Sequence, residues 1–164
     1  MTRGNAYRSV TARPWVRWVW PLSVLLLSWA LPDAACAVLG GDAGSVHADA
    51  VQLQGALRTT QANTYQIHEI QVSSGTVVRE YTSPTGVVFG VTWQGPFLPD
   101  LRNLLGPYFE QYVLPAQTCR RLRGPLVIES PGFVLESGGH LRAFAGRAYD
   151  RELLPAGLST EDIR

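Results

Sequence analysis

The sequence predicts an α+β domain: an antiparallel sheet of about five to six strands with one main kinked helix and a short N-terminal helix on one face. The strands form a β-meander and then C-terminal hairpins. Three observations lead there. Val87, Phe89, Val91 and Trp93 alternate with the period of a strand. Glycine ends two successive three-residue connections, Ser73-Ser74-Gly75 and Pro84-Thr85-Gly86, where a hairpin loop of that length needs positive φ. Leu101, Leu104, Leu105, Tyr108, Phe109 and Tyr112 recur at the spacing of a core-facing helix. Helices thus stand beside runs of strands, the pattern of an antiparallel sheet with helices on one side.

The chain has 164 residues, one-domain length. Its first 37 residues read as a cleaved signal peptide, which leaves 38–164 as a single domain. Arg3, Arg8, Arg13 and Arg17 form a basic start, and an apolar run over 18–31 follows. Ala35-Cys36-Ala37 supplies the small-x-small cleavage pattern, with the cut between Ala37 and Val38. The run is shorter than the ~20 residues of a spanning helix, and Asp33 occupies a place where lipidation of Cys36 would want an apolar residue. The expected location is the periplasm or the exterior, with no transmembrane segment in 38–164.

This leader holds four of the 14 basic residues and one of the 13 acidic ones, so 38–164 carry 10 arginines, no lysine and 12 carboxylates. Such a balance excludes a general nucleic-acid binder, which needs a basic excess. Of the two cysteines only Cys119 stays, so no intramolecular disulfide can form. A chain of this length can bury a core without such staples.

In chain order, 38–45 is a glycine-rich lead, lacking the strand and Lys-Ser/Thr pair of a phosphate loop. Residues 46–57 read as a short helix, from Val46, Ala50, Leu53 and Leu57 with Ser45 as N-cap. Residues 58–63 read as a polar connector. The three strands follow. The two three-residue loops set Ile67 opposite Tyr81 and Glu69 opposite Arg79, then Tyr81 opposite Phe89, Arg79 opposite Val91 and Val77 opposite Trp93. One face then carries Tyr65, Ile67, Val77, Tyr81, Val87, Phe89, Val91 and Trp93 around a Glu69–Arg79 pair. Ile70 and Val72 fall on the other face, which calls for a bulge or a second covered surface.

Gly95-Pro96 ends the third strand. Pro99 and Asp100 suit the first turn of the main helix, and Pro107 breaks or kinks it at Gly106-Pro107. Residues 117–124 read as a basic connector. Two strands flank Pro131-Gly132, and a turn at Gly138-Gly139 leads into residues 140–149, pairing Phe133 with Phe144 and Leu135 with Arg142. A short turn capped by Ser159 closes the chain.

Candidate chemistry is sparse. Arg79, paired with Glu69, could grip a carboxylate and stack on Trp93, or the pair could be structural. Cys119 stands beside Arg120, Arg121 and Arg123, which could lower its pKa, yet no Cys-x-x-Cys accompanies it. His47, His68 and His140 lack metal-ligand spacing. His140 follows a glycine turn next to Arg142 and is a candidate ligand contact. Ser137 and His140 lack the Gly-x-Ser-x-Gly elbow of a hydrolase. Glu129 and Glu136 lie on adjacent strands but without an aromatic sugar platform. No catalytic, metal or cofactor motif emerges, and the ligand or partner candidates are Glu69, Arg79, Trp93, His140 and Arg142. The reading that follows is a non-enzymatic exported module that binds or assists an envelope protein. The alternative is an enzyme or binding protein for a small envelope molecule at Arg79 and His140.

SGTVVREYTSPTGVVFGVTWQGPFLPDLRNLLGPYF, then ESGGHLRAFAGRAY, then LPAGLSTEDIR, after a leader that ends in Ala and is followed by LGG, resemble the proteobacterial family described as domain of unknown function 2844. Three separated blocks agree in order over nearly all of 38–164. The resemblance implies an exported, periplasmic protein of a Gram-negative bacterium and carries no activity, cofactor or catalytic residue with it.

Overall fold

A computed structural model describes residues 39–119 and 124–164. Seven antiparallel strands form one sheet in the order β1-β2-β3-β4-β7-β6-β5. They are β1 (Gly55–Gln61), β2 (Gln66–Val72), β3 (Val77–Thr82), β4 (Val88–Gly95), β5 (Leu126–Glu129), β6 (Phe133–His140) and β7 (Ala143–Asp150). Three helices accompany them: α1 (Val46–Gln52), α2 (Leu101–Leu105) and α3 (Phe109–Cys119). The fold class is as expected, with more strands than the five to six foreseen.

The additional strand is β1, where the expectation was the end of a helix and a connector. Gln54 takes a φ of 50° and turns the chain out of α1 after about two turns. Gly55 then lies so close to β2 that a Cβ there would stand 2.4 Å from Ile70 Cγ2. Leu57 is the one large apolar side chain in the strand, because an edge strand over a short helix has little to bury.

Both predicted loops are present, with Gly75 at φ 89° and Gly86 at φ 81°. The β2–β3 register is the expected one, Ile67 opposite Tyr81 and Glu69 opposite Arg79. The β3–β4 register is not. Thr82 pairs with Val88 and Tyr81 with Gly90, so Phe89 is an extra residue. This bulge moves the rest of β4 by one place, which sets Arg79 opposite Thr92 and Val78 opposite Trp93. It also divides the residues expected on one face. Val88, Val91 and Trp93 join Ile70, Val78, Leu104, Leu105 and Leu135 in the larger core under the helices. Phe89 joins Tyr81, Val134, Tyr149 and Ile163 in a second core on the opposite face, with Tyr65 and Ile67 beside it.

The main helix breaks where proline demands it. Asp100 caps α2 by accepting from Arg102 N at 3.0 Å, and a 3-10 turn over Gly106–Tyr108 separates α2 from α3. Tyr108 there stacks on Phe133 with centroids 4.9 Å apart. The helix then runs through Cys119, past the point where a connector was expected. Arg120, Arg121 and Arg123, like Cys36 and the leader, lie outside the described residues.

The β6–β7 turn is also displaced. Gly138 and Gly139 stay within β6, and the chain reverses at Leu141-Arg142 with Arg142 at φ 67°. Phe133 therefore pairs with Asp150 and Leu135 with Ala148, rather than with Phe144 and Arg142. The final segment folds back over the second core, and Ser159 caps its 3-10 turn, Thr160–Asp162, through a capping box.

Candidate functional site

The registers bring one row of side chains across the sheet on the face away from the helices. Arg58 is opposite Glu69, Glu69 opposite Arg79, Arg79 opposite Thr92, Thr92 opposite Arg147, and Arg147 opposite Glu136. Charges of opposite sign that face each other across strands pair readily. Arg79 Nε donates to Glu69 Oε2 at 2.8 Å, with about a third of each side chain exposed. Arg147 grips Glu136 with two bonds of 3.0 Å, from Nε and from a terminal nitrogen. Its other terminal nitrogen donates to the Thr160 carbonyl at 2.8 Å. The Glu136 bonds hold the Arg147 pKa above its ordinary value.

These two arginines differ in what they have left. Arg147 is engaged on three sides. Arg79 uses Nε alone, and its two terminal nitrogens bond none of the described residues. Between them Thr92 is 4 % exposed, and its hydroxyl also has no partner among the described residues. A buried hydroxyl without a partner costs about 1–3 kcal/mol, which a ligand or water would recover.

The final segment crosses this face and gives the row its walls. Tyr81 Oη donates to the Arg164 carbonyl at 2.6 Å and accepts from Arg164 N at 3.1 Å. On one side of that crossing is a groove of ≈ 480 Å³ whose lining includes Arg79, Thr92, Gln94, Glu136, Arg147 and Ile163. On the other side is a groove of ≈ 430 Å³ lined by Arg58, Tyr65, Ile67, Glu69, Arg79 and Asp162 among others. Arg79 and Arg164 border both grooves.

Of the five candidates named from sequence, the structure brings Glu69 and Arg79 together, lets Trp93 border the larger groove without stacking on Arg79, and separates His140 and Arg142 from them. Trp93 belongs to the helix-side core, 2 % exposed, with its indole over Gly146. The bulge in β4 puts it on the opposite face from Arg79, so the two do not stack. His140 and Arg142 are exposed at the tip of the β6–β7 hairpin and line neither groove beside Arg79. Ser137 lies inside β6, opposite Gly146. Glu129 is bonded by Arg151 at 3.2 Å and Glu136 by Arg147 at 3.0 Å.

Sequence reasoning missed Arg58, Thr92, Glu136 and Arg147 as members of this row. Arg147 lies one strand period from Ala145 and Tyr149, and placing the turn at Leu141-Arg142 would have found it. A glycine pair is the stronger turn signal, and it misled.

A second polar group lies buried beneath α1. Glu80 is fully buried and Asp49 nearly so. Burial, and then the neighbouring Asp49, push the Glu80 pKa up to about 9. His68, directly opposite Glu80, has one ring nitrogen 3.0 Å from Thr59 Oγ1 and the other 3.0 Å from Thr82 Oγ1. Burial, and then His47, lower its pKa. Neither groove beside Arg79 is lined by Asp49 or Glu80.

The family model "Protein of unknown function (DUF2844)" matches residues 35–163. The chain belongs to that family. The match takes in every strand and helix described above, the buried carboxyl pair and every groove residue except Arg164, so the architecture is that of a DUF2844 domain. No curated protein and no solved structure matches the chain. Among the described residues no helix is long and apolar enough to cross a membrane.

Proposed function

We propose that this DUF2844 protein is an exported, non-catalytic binding module that takes a carboxylate group in the groove between Arg79 and Arg147. One observation carries the reading: the unspent terminal nitrogens of Arg79 stand beside the unpartnered Thr92 hydroxyl in a groove of ≈ 480 Å³. A guanidinium presents parallel donors that match a carboxylate, and a hydroxyl can add a third bond. Glu69 and Glu136 anchor the flanking arginines in place and thereby fix the geometry. Because they are held as ion pairs, they act as positioning groups rather than as bases. The groove is open along the sheet, which suits the carboxylate of an extended chain end or side chain of an envelope protein. A small dicarboxylate would offer the same chemistry.

Calorimetric titration of the purified protein separates these sources. The probes are a short peptide with a free C-terminus, the same peptide amidated, and succinate. The expected result is binding of the free-acid peptide, loss of binding on amidation, and a weakening of about tenfold to a hundredfold in Arg79→Gln, since a hydrogen bond to a charged group contributes about 1.5–3 kcal/mol. Equal affinity in wild type and Arg79→Gln would sink the proposal, and binding of succinate alone would move it to a small ligand.

Export is supported by the basic start, the apolar run and Ala35-Cys36-Ala37. Mass spectrometry of protein recovered from the periplasm should show an N-terminus at Val38. A chain retaining residues 1–37, or an acyl group on Cys36, would refute cleavage at that bond.

A further inference from the structure

Two carboxyl groups meet inside the fold, between α1 and the sheet. Asp49 comes from the helix and Glu80 from β3. Neither Glu80 oxygen receives a hydrogen bond from a donor among the described residues. Its carboxyl bonds that of Asp49 instead. Two carboxyls can bond each other only if one keeps its proton, since an ionised carboxylate has nothing to donate.

The surroundings do not supply a compensating cation to Glu80. From β2 comes His68, tied between two threonine hydroxyls and discouraged from charging by burial. From α1 comes His47, whose field acts on His68. From β1 comes neutral Thr59, while Arg58 of that strand lines a groove on the other face. From β4 the residue opposite is Val91.

We propose that the Asp49–Glu80 pair is an alkali-sensitive latch that holds α1, and with it the edge strand β1, closed on the sheet. The shared proton joins helix to sheet. Its loss leaves a charged Glu80, buried and without a donor among the described residues, beside the Asp49 carboxyl, and the weakest attachment gives way. That attachment is α1, a helix of seven residues, and β1, which is paired on one side only. This device is independent of the Arg79 groove.

The direction follows from proton counting. Glu80 rises from an ordinary 4.5 to about 9 in the closed fold. Its stabilising contribution is whole below about 4.5 and is lost as pH climbs through about 9. His68, lowered from 6.5, works the other way and loses stability as pH falls below 6.5. Between pH 7 and 9 His68 is neutral in either form. Each opening then releases one proton, and the open population grows about tenfold per pH unit until Glu80 begins to ionise in the closed fold.

Arg58 is the one basic residue between 39 and 78, and it lies within β1, where pairing protects its peptide bond. The test is the initial rate of tryptic cleavage after Arg58 in the purified protein, read by mass spectrometry. Dividing by the rate in Glu80→Gln at the same pH removes the protease's own pH dependence. That ratio should rise about tenfold from pH 7 to 8 and about fiftyfold from pH 7 to 9, flattening as Glu80 begins to ionise in the closed fold. If Glu80→Gln does not fold, the rate on a small arginine ester at the same pH serves as the reference, because it carries the protease's own pH dependence and nothing else. A ratio that stays flat over this range overturns the latch.

Discussion

At the scale of single residues, Gly146 determines where the only tryptophan of the described chain can lie. A Cβ at Gly146 would stand 2.2 Å from Trp93 Cζ2 and 2.8 Å from the Glu136 carbonyl. The indole is enclosed and the carbonyl is backbone, so neither can yield without moving β4 or β6. Overpacking of this kind costs about 1–3 kcal/mol, occasionally more. Gly146→Ala should therefore lower the free energy of unfolding by about 3 kcal/mol in a urea titration followed by Trp93 fluorescence. An unchanged midpoint would mean that the indole has another place to go. The same scale shows what was legible of the candidate site. Glu69 and Arg79 could be paired from sequence because Gly75 fixes the loop between their strands. Thr92 and Arg147 could not, because their partners depend on a bulge and on a turn without glycine at its centre. By contrast, the exposed Glu69–Arg79 pair contributes only about 0–1 kcal/mol to stability, which leaves Arg79 replaceable in a binding test.

At the scale of elements, the main helix and the first meander were readable, and the reason is local. Pro107 cannot continue a helix whatever surrounds it, and Gly75 and Gly86 meet a φ that few other residues accept. Errors arose where geometry depends on a neighbour. The bulge at Phe89 has no signature in the alternation of Val87 to Trp93, which reads as an unbroken strand. Beside it Gly90 packs on the final segment, 73 residues further along the chain, and Phe89 itself joins the core that this segment covers. β1 was hidden for the opposite reason: an edge strand buries little, so its polar sequence carries no period of 2.

At the scale of the whole molecule, the sheet is covered on both sides by different means. Helices cover one face. On the other, residues 151–164 lay Leu153, Leu154, Leu158 and Ile163 against the second core. Ile163 is fully buried, and loss of a buried isoleucine to alanine costs about 2–5 kcal/mol. Ile163→Ala should therefore destabilise the protein by that amount in chemical denaturation and reshape both grooves beside Arg79. A cost below about 1 kcal/mol would show that the final segment is a loose cover rather than a wall of the site.

The amino-acid sequence by itself determined the class of fold, the meander with its first register, the break in the helix, the capped final turn and the family. Each of these rests on a residue whose own backbone or immediate neighbours settle the matter. Only the tertiary structure decided which face each strand shows, and so which charges meet. A one-residue bulge reverses every side chain beyond it, and the core that Phe89 joins there is covered by a segment distant in the chain. The buried Asp49–Glu80 pair belongs to this second kind. Nothing near either carboxylate in sequence marks it as buried, and only the packing of α1 over the sheet brings the two acids together.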